Sequence, residues 1–240
     1  MTSVVVIGAG PGLGMSIAHR FGREGYAVEL VSRSARRHDA YLAELSAAGI
    51  TARAHAADVR DPERMRAVLA DAAAANGGVG VLYYGPASLD PSSFPVPITE
   101  AGAAEVREAM AYVYPAVDAA AAVLPGMIER GDGGLLFAGG LSSVLPMPQL
   151  GNLALASAAL RNYALTLNAG LAGTGVYAGT LTIGGAIARG DIHAYVTGDP
   201  ERFGDIEAGT LDPDDIAGTA WEMYVERDRA EAVFNAIGRG

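Results

Sequence analysis

The chain has 240 residues, half of them hydrophobic, enough for one sizeable α/β core and short for two domains. A formal charge of −10 argues against a general nucleic-acid or anionic-membrane surface. With no cysteine there are no disulfides, thiolate metal sites or thiol nucleophiles, and because all 17 basic residues are arginine, no mechanism can use a lysine ammonium or a Schiff base. The four histidines, His19, His38, His55 and His193, lack metal-ligand spacing, so no metal site is expected.

The chain starts with an apolar run, Val4–Ile7, which ends in glycines rather than in a cleavage-site pattern and has no basic region ahead of it. It is predicted to be a strand and not a signal peptide, which makes the expected compartment cytoplasmic. No stretch of about 18 apolar residues escapes interruption by Gly or charge, so no membrane span is expected. Further strands are predicted at Ala27–Ser32, Thr51–Ala56, Val81–Tyr84, Gly134–Ala138, Gly175–Ile183 and Ala232–Ile237. Helices are predicted between them at Gly12–Glu24, Arg36–Ala48, Pro62–Ala75, Glu100–Glu129, Asn152–Ala172 and Pro213–Arg227. Pro115 and Pro125 should kink or break the fourth helix. The strands are mostly apolar runs, as strands buried on both faces should be, and their alternation with helices implies right-handed βαβ units and a doubly wound parallel sheet. Two long connections, Pro86–Pro97 and Gly184–Asp212, are candidate functional loops, the second a substrate loop or lid at 184–212.

The first strand runs into Gly8-Ala9-Gly10-Pro11-Gly12-Leu13-Gly14. Gly8 would make the tight turn, Gly12 would let the backbone approach a pyrophosphate, and Gly14 would let the helix pack close to the sheet. Backbone N–H groups of Gly10, Gly12, Leu13 and Gly14 and the positive helix end would then face the phosphates. The second strand ends at Ser32-Arg33, with Arg36 and Arg37 close behind and no carboxylate to bind a ribose 2′-hydroxyl. A guanidinium suits a 2′-phosphate, so NADP(H) is expected over NAD(H). The plainer reading of Arg36 and Arg37 is solvated charge at a helix start.

These motifs resemble the short-chain dehydrogenase/reductase family over nearly the whole length. Gly8, Gly12 and Gly14 match the family's glycine spacing, Asp58-Val59 its adenine-contacting pair, and Leu124-Pro125-Gly126-Met127 and Ala158-Ala159-Leu160-Arg161-Asn162-Tyr163 parts of its fourth and fifth helices. The resemblance implies a single Rossmann-type domain over 1–240 with helices on both faces, a small-molecule substrate and a homo-oligomer, dimer or tetramer. It also locates the family's serine, tyrosine and lysine at Gly140, Leu153 and Ser157, its asparagine near Tyr112, and its Asn-Asn-Ala-Gly at Tyr83-Tyr84-Gly85-Pro86. The cofactor cleft is therefore expected to be kept, with Gly85 on its rim, and the usual machinery replaced.

Replacement chemistry would fall to Tyr112, Tyr84 and Ser142, with Ser143 beside the last. Either phenol could donate a hydrogen bond to a developing oxyanion, and equally either could be packing. Tyr163, nearly three helical turns beyond Leu153, is expected to pack. His193 in the long loop, Ser157 and Asn152 are further polar candidates. Trp221 and Tyr224, at i and i+3, are expected in the core, and Arg227–Glu231 in a solvated turn. Two readings remain: an atypical oxidoreductase, or a binding or regulatory protein on the same scaffold, with a cyclase or isomerase as the non-redox variant.

Overall fold

The computed structural model describes residues 2–87, 94–198 and 209–237. In chain order the elements are β1 (Ser3–Ile7), α1 (Leu13–Arg23), β2 (Ala27–Ser32), α2 (His38–Ala47), β3 (Ala52–Ala56), α3 (Pro62–Asn76), β4 (Val79–Tyr84), α4 (Ala103–Met110), α5 (Tyr114–Arg130), β5 (Gly133–Gly140), α6 (Gly151–Gly170), β6 (Val176–Gly184), β7 (Ala186–Ile187), α7 (Asp191–Thr197), β8 (Thr210–Leu211), α8 (Pro213–Glu226) and β9 (Glu231–Asn235). Seven strands form one parallel sheet in the order β3-β2-β1-β4-β5-β6-β9, and β7 and β8 pair separately.

Each central strand divides its side chains between two cores. Val5 and Ile7 of β1, with Leu82 and Tyr84 of β4, pack under α3, α5 and α6. Val4 and Val6, with Val81 and Tyr83, pack under α1, α2 and α8. This period-two division explains why the strands read as unbroken apolar runs. The seam of α1 and α8 is aromatic, with Trp221 set edge-on to Phe21 at 5.2 Å and Tyr224 at 5.9 Å from it. Trp221 and Tyr224 thus share the core face that their spacing predicts.

Local signals place the helix ends. Asp61 caps α3 by accepting from Arg64 N–H at 2.9 Å, Pro62 occupies its first turn, and Gly77 ends it at φ 72°. Asp212 caps α8 in the same way through Asp214 N–H at 2.9 Å. The predicted helix over 100–129 is two helices. The break falls at 111–113, because Pro115 lies in the first turn of α5, where its missing N–H has no intrahelical acceptor to lose. Pro125 stays inside α5. Among the described residues one stretch, Ala103–Arg130, is long and apolar enough to cross a membrane, with mean hydropathy 1.3. It contains that break, and Ala119, Ala120, Val123 and Met127 on it are core residues.

Candidate functional site: a nucleotide cleft

β1 has β2 on one side and β4 on the other, so the crossovers leave it in opposite directions. In an open α/β sheet the crevice beyond the carboxyl ends of such strands receives ligands. Here it is a cleft of about 870 Å³, lined from the glycine turn across Ser32–Arg37 to Gly139, Gly140, Leu153 and Ser157. That volume is in the range of small-molecule sites, roughly 300–1,000 Å³.

The glycine turn is sterically dictated. Gly8 adopts φ 99°, and a Cβ there would lie 2.6 Å from the carbonyl of Gly85. A Cβ on Gly14 would lie 2.4 Å from the Gly8 carbonyl oxygen, so only glycine lets α1 start this close to the sheet. Gly10 is different, since a Cβ would meet nothing within 4 Å. Its carbonyl accepts from Met15 N–H at 3.0 Å. Leu13 is buried and lines the cleft as the first residue of α1. The first N–H groups of that helix have no acceptor within it and are available to an anion.

At the adenosine end, Arg33 is exposed and lines the cleft, and among the described residues neither it nor Arg36 has an ion-pair partner. Ser32 is turned inward, its hydroxyl donating to the Ser34 carbonyl at 3.0 Å and lying 2.8 Å from His38 Nε2. Val59 is buried in the cleft wall. Asp58 is held by Arg60, whose Nη2 donates to it at 3.0 Å, and this pairing holds its carboxyl below the usual carboxylate range. Tyr41 was not singled out by the sequence. Its ring is buried in the cleft wall, its hydroxyl faces the Arg37 guanidinium, and burial pushes its phenol above the ordinary range. Its i+4 spacing from Arg37 at a helix start is the signal that could have found it. Two guanidiniums without an ion-pair partner among the described residues and a glycine cradle fit a dinucleotide with a phosphorylated ribose.

On the opposite wall, the three positions expected for serine, tyrosine and lysine do converge. Gly140 ends β5, Leu153 and Ser157 lie on one face of α6, and all three line the cleft. A Cβ on Gly140 would lie 3.1 Å from Ser157 Oγ and 3.3 Å from Ser142 Oγ. Ser142 is half-buried in the turn after β5 and is not among the cleft-lining residues, and the Ser143 hydroxyl is buried without a partner. Gly85 lies on the rim, its N–H donating to Ile7 at 2.9 Å and the Tyr83 ring beneath it.

Four tyrosines line the cleft, and Tyr41, Tyr83 and Tyr84 are buried. The Tyr84 hydroxyl donates to the Tyr112 carbonyl at 2.6 Å, and burial pushes its phenol well above the ordinary range. A proton so placed is engaged by the backbone of Tyr112. Tyr112 is half-buried, with the Arg60 guanidinium 6.0 Å from its ring centre. Asn152 is not in the cleft: it accepts from Val96 N–H at 2.9 Å and donates to Glu105, pinning the loop before α4. His193 lies on α7 outside the lining residues. Tyr163 stacks edge-on against Phe137 at 5.6 Å, as packing. Glu231, expected in a solvated turn, instead belongs to β9 and takes a two-pronged bond from Arg161 at 2.7 and 2.6 Å. Asp132 plays the corresponding part for Arg227, at 2.8 Å.

A seven-stranded parallel sheet with a glycine cradle at its switch point defines a nucleotide-binding α/β protein. The short chain dehydrogenase family model matches residues 2–189, and the chain belongs to that family. Solved structures agree on the fold. An L-sorbose reductase from Gluconobacter frateurii, complexed with NADPH and L-sorbose, is 20% identical with a TM-score of 0.81, covering 98% of this chain and 95% of its own. An alcohol dehydrogenase from the archaeon Thermococcus sibiricus, complexed with 5-hydroxy-NADP, is 22% identical with a TM-score of 0.79, covering 100% and 99%. A metagenomic short-chain oxidoreductase in complex with NADP is 22% identical with a TM-score of 0.78, covering 97% and 96%. No curated protein matches the chain.

Proposed function

We propose that this chain is an NADP(H)-dependent oxidoreductase that acts on a small carbonyl, alcohol or alkene without a tyrosine–lysine proton relay. The observation that carries the reading is the contrast within one cleft. A glycine cradle and Arg33, which has no ion-pair partner among the described residues, line one wall, while Gly140, Leu153 and Ser157 bring no titratable group to the other. The NADP and NADPH complexes among structures of this fold support the cofactor. When bound, NADPH supplies hydride; the protein's part is to position, polarise and exclude water.

Gly8, Gly12, Leu13 and Gly14 would hold the pyrophosphate, Arg33 with Arg36 the 2′-phosphate, and Asp58, Val59 and Gly85 the adenosine and the rim. Leu153, Ala156 and Leu160 keep the reacting wall apolar. Ser157 can hydrogen-bond a ribose hydroxyl. Tyr112, half-buried on the cleft wall, is assigned as oxyanion donor, with Ser142 as a substrate ligand from just behind Gly140. The family's soluble members and the exposed apolar side chains Tyr114, Val117 and Ile128 along α5 support a cytoplasmic homo-oligomer, dimer or tetramer. The segment 184–212 is assigned as the substrate loop. The apolar reacting wall also favours a second reading, a binding or non-redox protein using the same cleft.

Calorimetry with NADPH and NADH, followed by NADPH oxidation across carbonyls and activated alkenes with product masses, separates these. Micromolar NADPH binding, weaker NADH, and products heavier by two hydrogens are expected. Arg33→Ala should weaken NADPH about ten-fold and leave NADH unchanged, the scale of one charge-assisted hydrogen bond. Failure to bind either nucleotide would sink the oxidoreductase reading, and binding with turnover but no added hydrogen would favour the isomerase or cyclase.

A further inference from the structure

Arg37 does something different from its neighbours Arg33 and Arg36. Its Nη1 and Nη2 donate to the two carboxylate oxygens of Asp191, both at 2.7 Å, although the residues are 154 positions apart. Both side chains line the cleft, Arg37 just before α2 and Asp191 at the start of α7, so the pair bridges its mouth. The segment between β7 and α7 is fastened at a second point. Arg189 adopts φ 65°, a left-handed conformation that a non-glycine residue rarely takes. From it, Nη2 reaches Asp214 at 2.9 Å and donates to Ser16 on α1 at 3.1 Å. Between the two fastenings the strap lies directly on the glycine turn, and a Cβ on Gly12 would sit 3.1 Å from Gly190 Cα.

We infer that Arg37 and Asp191 form a clasp that holds the strap 186–197 across the nucleotide cleft, and that Arg37 is a positioning residue for this strap rather than a reader of the 2′-phosphate. A forked guanidinium–carboxylate pair is the geometry in which a partly exposed ion pair is worth counting. Asp191 would repel a phosphate brought to the same guanidinium, whereas Arg33 and Arg36 form no ion pair within 4 Å among the described residues. Nucleotide passes when the clasp opens, and the clasp re-formed over it slows departure. The occupant is taken from the function proposed above; the clasp itself is a property of the chain alone.

The test uses the full chain with Arg37→Gln, Asp191→Asn and the exchanged pair Arg37→Asp with Asp191→Arg. Hydrogen exchange without nucleotide should be about five-fold faster at the amides of 188–197 in each single variant and near wild type in the exchanged pair. Stopped-flow release of NADPH and of NADH should accelerate by a common factor of about five in the single variants. Unchanged exchange across the strap would overturn the clasp. So would an Asp191→Asn variant that binds NADPH more tightly with NADH unaffected, since Asp191 would then be a competitor for a phosphate site on Arg37. If wild type binds neither nucleotide, the functional reading falls and the exchange measurement still decides the clasp.

Discussion

The two walls of the cleft are built on the same parallel strands and differ in how tightly their residues are prescribed. On the β1–β2 side, Gly8 and Gly14 are each confined by backbone 2.6 Å or less from where a Cβ would be, and Arg33, Tyr41 and Val59 all face the same end. On the β5–α6 side, Gly140, Leu153 and Ser157 meet at the expected place but bring no acid, base or cation. The first wall is prescribed mainly by backbone and the second by side chains, so a substitution that leaves the fold intact reaches the second more easily than the first.

Four changes would break or sharpen that contrast. The largest effect is expected from Gly8→Val. A side chain at φ 99° against the Gly85 backbone combines strain with overpacking, for a loss of about 3–6 kcal/mol in urea unfolding and of nucleotide binding with it. Second, if only side chains are missing on the other wall, the triple variant Gly140→Ser, Leu153→Tyr, Ser157→Lys should reduce simple carbonyls about 10²–10⁴-fold faster than wild type, read as NADPH consumption. No gain in a folded, NADPH-binding triple variant would mean that the wall differs in backbone as well.

A third effect lies beneath the nucleotide half. Glu29 is 1% exposed on β2, within 3.0 Å of Arg53 Nε, 2.7 Å of His55 Nε2 and 2.7 Å of Asn76 Nδ2. Burial alone would raise its carboxyl, but the hydrogen bonds from His55, Arg53 and Asn76 outweigh it and the net direction is downward. A carboxyl lowered by folding stabilises above its unfolded pKa, and that stability disappears as pH falls through the folded value. Glu29→Ala should cost about 3 kcal/mol at neutral pH and flatten the acid limb of the stability profile. A variant as acid-labile as wild type would show that other carboxylates control that limb. Smallest is Tyr84→Phe, which removes the bond to the Tyr112 carbonyl and should cost about 1 kcal/mol with catalysis intact. A large rate loss without destabilisation would return Tyr84 to the chemistry.

The sheet was legible in the sequence because its central strands are apolar on both faces, and β2 matches its predicted bounds of Ala27–Ser32. The cradle was legible for the same reason, since a glycine needed for space leaves a mark at a fixed spacing. Chemistry on the second wall was legible only as an absence. What stayed hidden depends on pairing across long separations. Nothing local marks Asp191 as a partner for Arg37, and nothing in Tyr83-Tyr84 says that the Tyr84 hydroxyl is spent on Tyr112. Asn152 read only as a polar group near the cleft because its partners, Val96 and Glu105, lie about fifty residues back.

The aromatic seam between α1 and α8 has a spectroscopic consequence. Trp221 is the chain's single tryptophan, and the Arg20 guanidinium lies 5.6 Å from its ring centre. Its emission therefore comes from one place, on the helix whose first turn carries Asp214, the residue that holds Arg189 and with it the strap. Fluorescence at the red edge of protein absorption reads that seam with no label attached, and a reduced nicotinamide in the cleft would announce itself as an energy acceptor for this one donor.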